Sequence, residues 1–262
     1  MKYYMIDAFT DELFKGNPAG VCLLEKELPD SVMQKIAFEN NLAETAFLLK
    51  KDSTYYLRWF TPEFEIDLCG HATLATAFVV MNYVEPSLNQ VEFETKSGRL
   101  SVVRNEDLYM MNFPSRMPAP IQMDQTLIEK ALGCRVLEIH SSRDLVLLVK
   151  DEETVEKLKV NKILLSSINP DVSFGVIVTA KGESCDFVSR FFTPNAGSDE
   201  DPVTGSAHSS LIPFWSQRLN KTQMVAKQLS KRSGVLMCED RGERVTISGK
   251  AICYLEGNIR LN

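Results

Sequence analysis

The sequence predicts an α+β protein of two pseudo-symmetric lobes, each a barrel-like, antiparallel-rich sheet around one central helix. Three observations support this fold class: a phrase that recurs half a chain apart, a second echo at a similar offset, and an apolar helix after each copy of the phrase. The copies are RWFTP at 58–62 with DLCGHAT at 67–73, and RFFTP at 190–194 with DPVTGSA at 201–207. Repetition on this scale indicates duplicated structural units.

The second echo supports the same division of the chain. Thr61 and Thr193 are 132 positions apart, and Gly98 and Gly234, each preceded by serine, are 136 positions apart. A longer loop after Pro194 accounts for the small drift in offset. The same relationship therefore extends beyond a single short motif.

The repeat predicts a first lobe at residues 1–115 and a second at 116–262, with a chain end that could return to the first lobe. The proline-rich stretch 114–120 is the predicted linker. The two polar turns that precede the central helices would face each other, which predicts a ligand site between the lobes.

Short runs rich in β-branched and aromatic residues predict strands in both halves. In the first half they cover 2–9, 21–25, 45–50, 55–60, 91–95, 100–104 and 108–113. In the second half they cover 136–139, 145–150, 174–179, 186–192, 235–239, 245–248 and 251–255. Gly98, Gly234 and Gly242 mark turns short enough for hairpins, which predicts antiparallel pairing.

Helices are fewer, and two of them are predicted to be buried. The run from Gly70 to about Tyr83 is apolar on nearly all sides, as expected of a helix enclosed by a sheet. Its counterpart is 205–219, in which Pro213 requires a kink or a late start. Further helices are predicted at about 30–39, from Asp124 to Gly133, and more weakly at 153–158.

Charge and hydropathy exclude two classes of partner. The 262 residues carry a net charge of −6, and no basic stripe is present, which disfavours nucleic acids and anionic membranes. No apolar run reaches the roughly 18 residues of a membrane helix. We therefore expect a globular protein that binds a small molecule.

Cysteine and histidine usage predicts a cytoplasmic protein without a bound metal. The six cysteines form no Cys-x-x-Cys motif, and no export signal is recognisable, so we expect reduced thiols. The three histidines do not combine with cysteines or carboxylates in a zinc-like spacing. Nucleotide-binding glycine motifs are lacking as well, so no cofactor is expected.

The two predicted helix starts are the first candidates for chemistry. Gly70 with His71, and Gly205 with Ser206, would present backbone N–H groups and a positive dipole end, which bind carboxylates. Ordinary helix capping is the alternative, and the repetition favours function.

The side chains of Glu44, Asp201, His71 and Cys69 each have more than one interpretation. Glu44 is either a surface residue at a strand start or an acid/base group, and Asp201 either complements a helix dipole or acts as an acid or base. His71 is a proton shuttle, a substrate donor or a capping residue. Cys69 is either a thiolate base or a small buried apolar residue, and Thr204 stands at the equivalent point of the second phrase.

These motifs resemble the PhzF (phenazine-biosynthesis) family, in family order from residue 7 to 207. The matching segments are DAFT at 7–10, FKGNPAGV at 14–21, NLAETAF at 41–47, RWFTP at 58–62, DLCGHAT at 67–73 and DPVTGSA at 201–207. The family is similar in fold to diaminopimelate epimerase and proline racemase, with the site between two lobes.

The resemblance implies roles for particular residues. Glu44 would move a substrate proton, Asp201 and His71 would help to bind and shuttle protons, and Gly70, Gly205, Ser206 and Asn17 would bind the substrate. The family's characterised reaction is the cofactor-free isomerisation of a dihydro-hydroxyanthranilic acid.

Three functions follow as hypotheses. The first is a cofactor-independent isomerase acting on a small carboxylate, which the joint presence of Glu44, His71 and Asp201 favours. The second is an epimerase or racemase that uses Cys69, although Thr204 in place of a second thiol makes a symmetric two-thiol racemase poorly supported. The third is a small-molecule binding protein of the same fold without turnover. A homodimer is the expected assembly.

Overall fold

The computed structural model describes residues 1–168, 175–193 and 200–261. The chain divides into two compact units. One comprises Met1–Asn112 and Ser248–Asn262, and the other comprises Phe113–Ile247. Within the described residues, no helix combines the length and apolarity that crossing a bilayer requires.

The first unit is a mixed sheet with two α-helices. Its strands are β1 (Lys2–Ala8), β2 (Asn17–Leu24), β3 (Glu44–Lys51), β4 (Thr54–Phe60), β5 (Glu65–Ile66), β6 (Gln90–Thr95), β7 (Gly98–Asn105), the start of β8 (Leu108–Pro114), and the late strand β18 (Ala251–Asn258). Helix α1 (Asp30–Asn40) connects β2 to β3, and α2 (Gly70–Val79) connects β5 to β6. Strand β1 pairs antiparallel with both β2 and β18.

The second unit has the same kind of construction, with four helices among its described residues. Its elements are β9 (Ala119–Pro120), α3 (Gln125–Leu132), β10 (Glu138–Ser141), β11 (Leu145–Leu148), α4 (Glu152–Glu156), α5 (Lys162–Ser166), β12 (Val176–Lys181), β13 (Phe187–Phe192), β14 (Glu200–Asp201), α6 (Gly205–Leu219), β15 (Gln223–Gln228), β16 (Gly234–Asp240) and most of β17 (Arg244–Gly249). Phe174 of one predicted strand lies outside the described residues, as does Pro194 of the repeated phrase.

The order of strand pairing is the same in both units. In the first, β1–β2 is antiparallel, β2–β3 parallel, β3–β4 and β4–β5 antiparallel, β4–β6 parallel and β6–β7 antiparallel. In the second, the pairs β10–β11, β11–β12, β12–β13, β13–β14, β13–β15 and β15–β16 follow that sequence of directions. The internal repeat read from the sequence is thus a repeat of topology.

In each unit an arginine–glutamate ion pair holds the equivalent short strand, β5 in the first and β14 in the second. Arg58 donates from Nε and Nη2 to both carboxylate oxygens of Glu65, at 2.7 and 2.8 Å. Arg190 holds Glu200 in the same way, at 2.7 and 2.8 Å. Such two-point pairs fix geometry as well as charge. Each glutamate lies five residues before the first residue of a central helix, so the pair fixes the approach to that helix.

Helix α2 is the central helix of the first unit. Eight of its ten residues are buried, including His71 and Thr73, and it packs against β1, β2 and β3. A helix apolar on all sides is stable only when it is enclosed in this way. The predicted extension to about Tyr83 differs in kind, because Val80–Val84 form a π-helical turn.

Helix α6 is the central helix of the second unit and contains Pro213. Proline lacks the N–H that would bond the carbonyl four residues earlier. That carbonyl, of Ser209, instead accepts from the N–H of Arg116 at 2.9 Å. The helix therefore begins at Gly205 and continues through Pro213. The alternative prediction, a helix that starts only near the proline, is wrong.

Candidate active site

The candidate site in the first unit begins at the N-terminus of α2. Its N-cap residue, Cys69, is extended at φ −142° and ψ 113°, and its side chain makes no capping hydrogen bond. The carbonyl of Cys69 accepts the first helical bond, from the N–H of Thr73 at 3.1 Å. Because the first N–H groups of a helix have no partner within the helix, an uncapped start offers them to an external acceptor such as a carboxylate.

Glu44 and His71 meet at this helix start. Glu44 is the first residue of β3, and His71 lies in the first turn of α2. The Nε2 atom of His71 lies 3.1 Å from Oε2 of Glu44, and the two side chains are 6% and 17% exposed. The distance is that of an ion pair, but neither atom has a well-aligned hydrogen-bond partner among the described residues. The two buried atoms are therefore partners as an ion pair rather than through an aligned hydrogen bond.

Cys69 contacts the other side of the same imidazole. Its Sγ lies 3.5 Å from Nδ1 of His71, and the residue is only 6% exposed. The ring of His71 therefore lies between a thiol at one nitrogen and a carboxylate at the other. The sequence predicted Glu44, His71 and Asp201 as catalytic residues without a particular contact between them, and it left the role of Cys69 open.

The protonation states follow from burial and charge. Burial, with the charge of Glu44, raises the pKa of the Cys69 thiol to about 11, so the thiol is neutral at pH 7. Burial opposes a charge on His71, but its neighbours Cys69 and Glu44 outweigh that effect and hold the pKa of the imidazole well above its ordinary 6.5. Cys69 and Glu44 are thus the two contacts that favour the imidazolium.

The three side chains include ligand types that a metal ion accepts. One atom each from Glu44, Cys69 and His71 lies within 4.8 Å of the others. The donor set resembles that of a zinc site. However, the thiol approaches Nδ1 while the carboxylate approaches Nε2, and an imidazole binds one ion through one nitrogen. All three groups cannot hold one ion in this arrangement, so the geometry fits a proton relay better than a metal site.

Asn17 is the first residue of β2, on the strand that pairs with β3. It is fully buried, and Ala19, two residues further on, pairs with Glu44 in the parallel register. Gly16 makes this strand start possible, because it has φ +67° and a Cβ added there would lie 2.2 Å from the carbonyl oxygen of Ala8. Only glycine tolerates both conditions. The predicted substrate-binding residue Asn17 thus lies on the strand next to that of Glu44.

The start of α6 has the equivalent construction in the second unit. Its N-cap residue, Thr204, makes no side-chain capping bond, and its hydroxyl donates instead to Oδ2 of Asp201 at 2.6 Å. The N–H of Thr204 donates to Oε1 of Gln228 at 2.9 Å, and Gln228 Nε2 donates to the carbonyl of Asp201 at 2.7 Å. The fully buried Gln228 therefore holds the turn that carries Asp201.

Arg143 is a candidate binding residue that the sequence did not reveal. It lies in the three-residue turn between β10 and β11, and its Nη2 donates to Oγ of Ser206 at 3.0 Å. The guanidinium also donates to Oδ2 of Asp144, a fully buried carboxylate. Burial raises the pKa of Asp144, while the charge of Arg143 opposes the rise. A cation is thereby fixed at the first turn of α6, beside Gly205 and Ser206.

The structure groups the predicted site residues within each unit. Glu44 and His71 meet at the start of α2, Asn17 lies on the neighbouring strand β2, and Asp201 lies near Gly205 and Ser206 at the start of α6. The acidic residue Asp199, which precedes Asp201, is outside the described residues. That the two groups serve one substrate stays a prediction.

The repeat also shows where the units differ chemically. Phe60 and Phe192 are equivalent residues of the repeated phrases. Phe60 pairs with Thr45, and Phe192 pairs with Val176, so the residue before Val176, Gly175, is at the position of Glu44. When the two helix starts are aligned, Thr204 is at the position equivalent to Cys69, and Ser206 is at the position equivalent to His71. No thiol and no imidazole occupies these positions in the second unit.

Comparison with known proteins agrees with these features. The family model for phenazine biosynthesis-like proteins (PhzC-PhzF) matches residues 6–257. An uncharacterized isomerase of Pseudomonas aeruginosa is 48% identical over 258 residues, covering 98% of both chains. A crystal structure of a PhzF-family phenazine biosynthesis protein from Enterococcus faecalis is 50% identical and covers 99% of both chains with a TM-score of 0.96.

More distant structures share the fold alone. A hydroxyproline epimerase from Agrobacterium vitis, solved with trans-4-hydroxy-L-proline, has a TM-score of 0.62 at 12% identity, over 98% of this chain and 91% of its own. The predicted fold class, α+β and epimerase-like, is confirmed.

Proposed function

Because the chain belongs to the phenazine biosynthesis-like (PhzC-PhzF) family, we propose that it is an isomerase that moves a proton on a small carboxylate-containing metabolite by general acid/base catalysis. The observation that carries the proposal is the buried contact between Glu44 and His71, with Nε2 and Oε2 3.1 Å apart at an uncapped helix start. The isomerase named among the relatives supports the reaction class.

Glu44 is the proposed proton carrier. Its side chain is 17% exposed and so remains accessible from one side, while His71 stabilises its charge from the other. A carboxylate that takes a proton from carbon and returns it to a second carbon needs no cofactor. His71 would keep the carboxylate oriented between the two transfers.

The helix starts are proposed to bind the negative charge of the substrate. A carboxylate beside Gly70 or Gly205 would accept backbone hydrogen bonds and meet the positive end of a helix dipole. Charge that develops as the C–H proton leaves would be stabilised by the same donors. Arg143, which is held by its hydrogen bond to Ser206, would contact the same substrate carboxylate with its positive charge.

An exchange experiment tests the proposal. Candidate small carboxylates are incubated with the protein in heavy water, and deuterium incorporation is followed by mass spectrometry or NMR. We expect incorporation with the wild-type protein and its loss in Glu44→Gln. The matched control is Glu39→Gln, which changes an exposed glutamate near the end of α1.

The racemase alternative rests on the contact between Cys69 and His71. The high pKa of the buried thiol and the threonine at the equivalent position 204 count against it. Exchange that survives Glu44→Gln but is abolished by Cys69→Ser in a folded protein would favour this alternative. Tight binding of a carboxylate without any exchange would instead favour a binding protein without turnover.

A further inference from the structure

We propose that Cys69 is a positioning residue for His71, whose thiol both donates to and accepts from Nδ1 and so keeps Nε2 directed at Glu44 in both protonation states of the carboxylate. The inference rests on the proposed function of Glu44 as a proton carrier. It adds a role for a side chain to which neither the repeat nor the reaction assigns one.

The first support is the geometry at the two ring nitrogens. Sγ of Cys69 lies 3.5 Å from Nδ1, within the range for hydrogen bonds to sulfur, and Oε2 of Glu44 lies 3.1 Å from Nε2. The partner of one ring nitrogen determines which protonation form faces the other. The thiol is therefore placed to control what Nε2 presents to the carboxylate.

The second support is the ability of a thiol both to donate and to accept. When Glu44 is ionised, Oε2 faces Nε2–H, and Nδ1 either accepts from S–H in the neutral ring or donates to sulfur in the imidazolium. When Glu44 takes a proton from the substrate on its other oxygen, Oε2 still faces Nε2–H and the contact of Nδ1 with sulfur is unchanged. No proton passes through the ring, and the sulfur keeps its own proton throughout.

The third support is where the N-cap side chains point. Ser, Thr, Asp and Asn at an N-cap ordinarily accept from the first turn of their helix. Neither Cys69 nor Thr204 does so, and the hydroxyl of Thr204 donates to Oδ2 of Asp201 at 2.6 Å. In both units the N-cap side chain therefore contacts a candidate acid/base residue, His71 or Asp201. The contacted residues are not at equivalent positions, so the shared feature is only that neither N-cap side chain is engaged in capping its own helix.

Burial makes this partner difficult to replace. Cys69 and His71 are 6% and 5% exposed. A buried ring nitrogen that loses its partner retains the cost of its desolvation. Cys69→Ala should therefore allow the ring to change its tautomer or orientation, whereas Cys69→Ser should preserve both.

The experiment is NMR of protein with ¹⁵N-labelled histidine, in the wild type, Cys69→Ser and Cys69→Ala. The chain has only three histidines, so the signals of His71 can be assigned by Glu44→Gln and by difference. His208, whose Nδ1 contacts the carbonyl of Thr204 at 2.8 Å, serves as an internal reference that the substitutions should not alter. We expect His71 to keep its ring-nitrogen shifts and protonation form in Cys69→Ser and to lose them in Cys69→Ala.

The matched pair Cys69→Thr and Cys69→Val tests the same point if alanine disturbs the fold. The two residues have nearly the same shape, and only threonine retains a hydroxyl. Threonine is also the residue at the equivalent position 204. Ring-nitrogen shifts of His71 that are the same in threonine and valine variants, or in alanine and wild type, would overturn the proposal.

Turnover distinguishes this proposal from the proposed function. Once an exchanging carboxylate is found, Cys69→Ala should lose more exchange than Cys69→Ser, on the order of 10–100-fold, as for the outer partners of metal-bound histidines. Equal exchange in the two variants would contradict the positioning role. Undiminished exchange in Glu44→Gln would overturn the proposed function, and the NMR result would still decide whether Cys69 orients His71.

Discussion

Cys69 and Thr204 occupy the same position in the two units, each as the N-cap of a central helix that its side chain does not cap. The sulfur contacts His71, and the hydroxyl donates to Asp201. The same backbone plan thus presents a thiol in one unit and a hydroxyl in the other. The difference predicts that proton chemistry depends on the first unit more than on the second.

Glu44→Gln should reduce substrate proton exchange on the order of 10²–10⁴-fold, the usual contribution of a general acid or base. Glutamine keeps the size of the side chain but cannot carry the proton, so substrate affinity should change little. Single-turnover exchange in heavy water measures the effect, with Glu39→Gln as the control. Asp201→Asn should reduce the rate of proton exchange less than Glu44→Gln does. Wild-type exchange by Glu44→Gln would transfer the role of the base to His71 or Asp201.

The pair of Glu44 and His71 should make stability decrease at alkaline pH. The pKa of His71 is raised above 6.5 in the folded protein, so its contribution is complete below pH 6.5 and is lost as pH rises through the folded pKa. Urea unfolding measured at successive pH values from 6 upward tests this. His71→Gln should flatten the decrease, and an unchanged slope in that variant would show that another group causes it.

His208 predicts the opposite dependence in acid. Burial lowers the pKa of this histidine to about 4, below the ordinary 6.5. The unfolded chain therefore binds a proton that the folded protein does not, and stability should fall as pH decreases from 6.5 towards 4. At 1.36 kcal/mol per pKa unit the loss is roughly 3 kcal/mol. His208→Gln should remove most of the slope. An equal slope in this variant and the wild type would contradict the assignment.

Arg190→Gln should destabilise the protein more than Arg58→Gln. Arg190 is the less exposed of the two, at 13% against 30%, and it also donates to the carbonyl of Leu158 at 3.1 Å. In the first unit Lys96 also contacts Glu65 and would still compensate its charge. Hydrogen bonds to charged groups contribute about 1.5–3 kcal/mol, so we expect a loss in that range for Arg190→Gln and less for Arg58→Gln. Chemical denaturation of both variants compares them, and equal losses would refute the ranking.

Arg143→Lys should weaken substrate binding with little effect on the chemical step. Lysine retains the charge beside Asp144 but not the forked geometry that reaches Ser206. A guanidinium that is no longer fixed on Ser206 loses its hydrogen bond to the substrate carboxylate, and about 1.5 kcal/mol for one such charged bond corresponds to roughly a tenfold rise in KM. Steady-state exchange kinetics on the identified carboxylate separate KM from kcat. A fall in kcat at constant KM would place Arg143 in the chemical step instead.

The parts of the fold that the sequence predicted are those with a strong local signal. The two buried helices were recognisable because nearly every position is apolar, and the repeated phrases marked equivalent turns. Strand β15, in contrast, was missed. Its buried face is formed by Met224, Ala226 and Gln228. A glutamine on the buried face breaks the alternation that predicts a strand, and it is buried because it holds the turn at Thr204.

The site was predictable in its residues and less so in its contacts. Glu44 and His71 come from separate motifs, and their approach depends on how β3 lies beside the start of α2. Arg143 could not be found from local pattern, because it is a turn residue whose partner Ser206 lies 63 positions later. Asp144 alone would have predicted a surface turn. Its burial is a consequence of the pairing of the strands around it.

The pairing of β18 with β1 has a consequence for biosynthesis. The first unit is discontinuous, since Ser248–Asn262 belong to it, whereas the second unit is one continuous segment, Phe113–Ile247. As the chain leaves the ribosome, β1 emerges first and its neighbour β18 only after the entire second unit. The second unit can therefore fold during translation, while the first must wait with an open sheet edge. An unpaired edge strand invites pairing with other chains, so the nascent protein should depend most on chaperones during this interval.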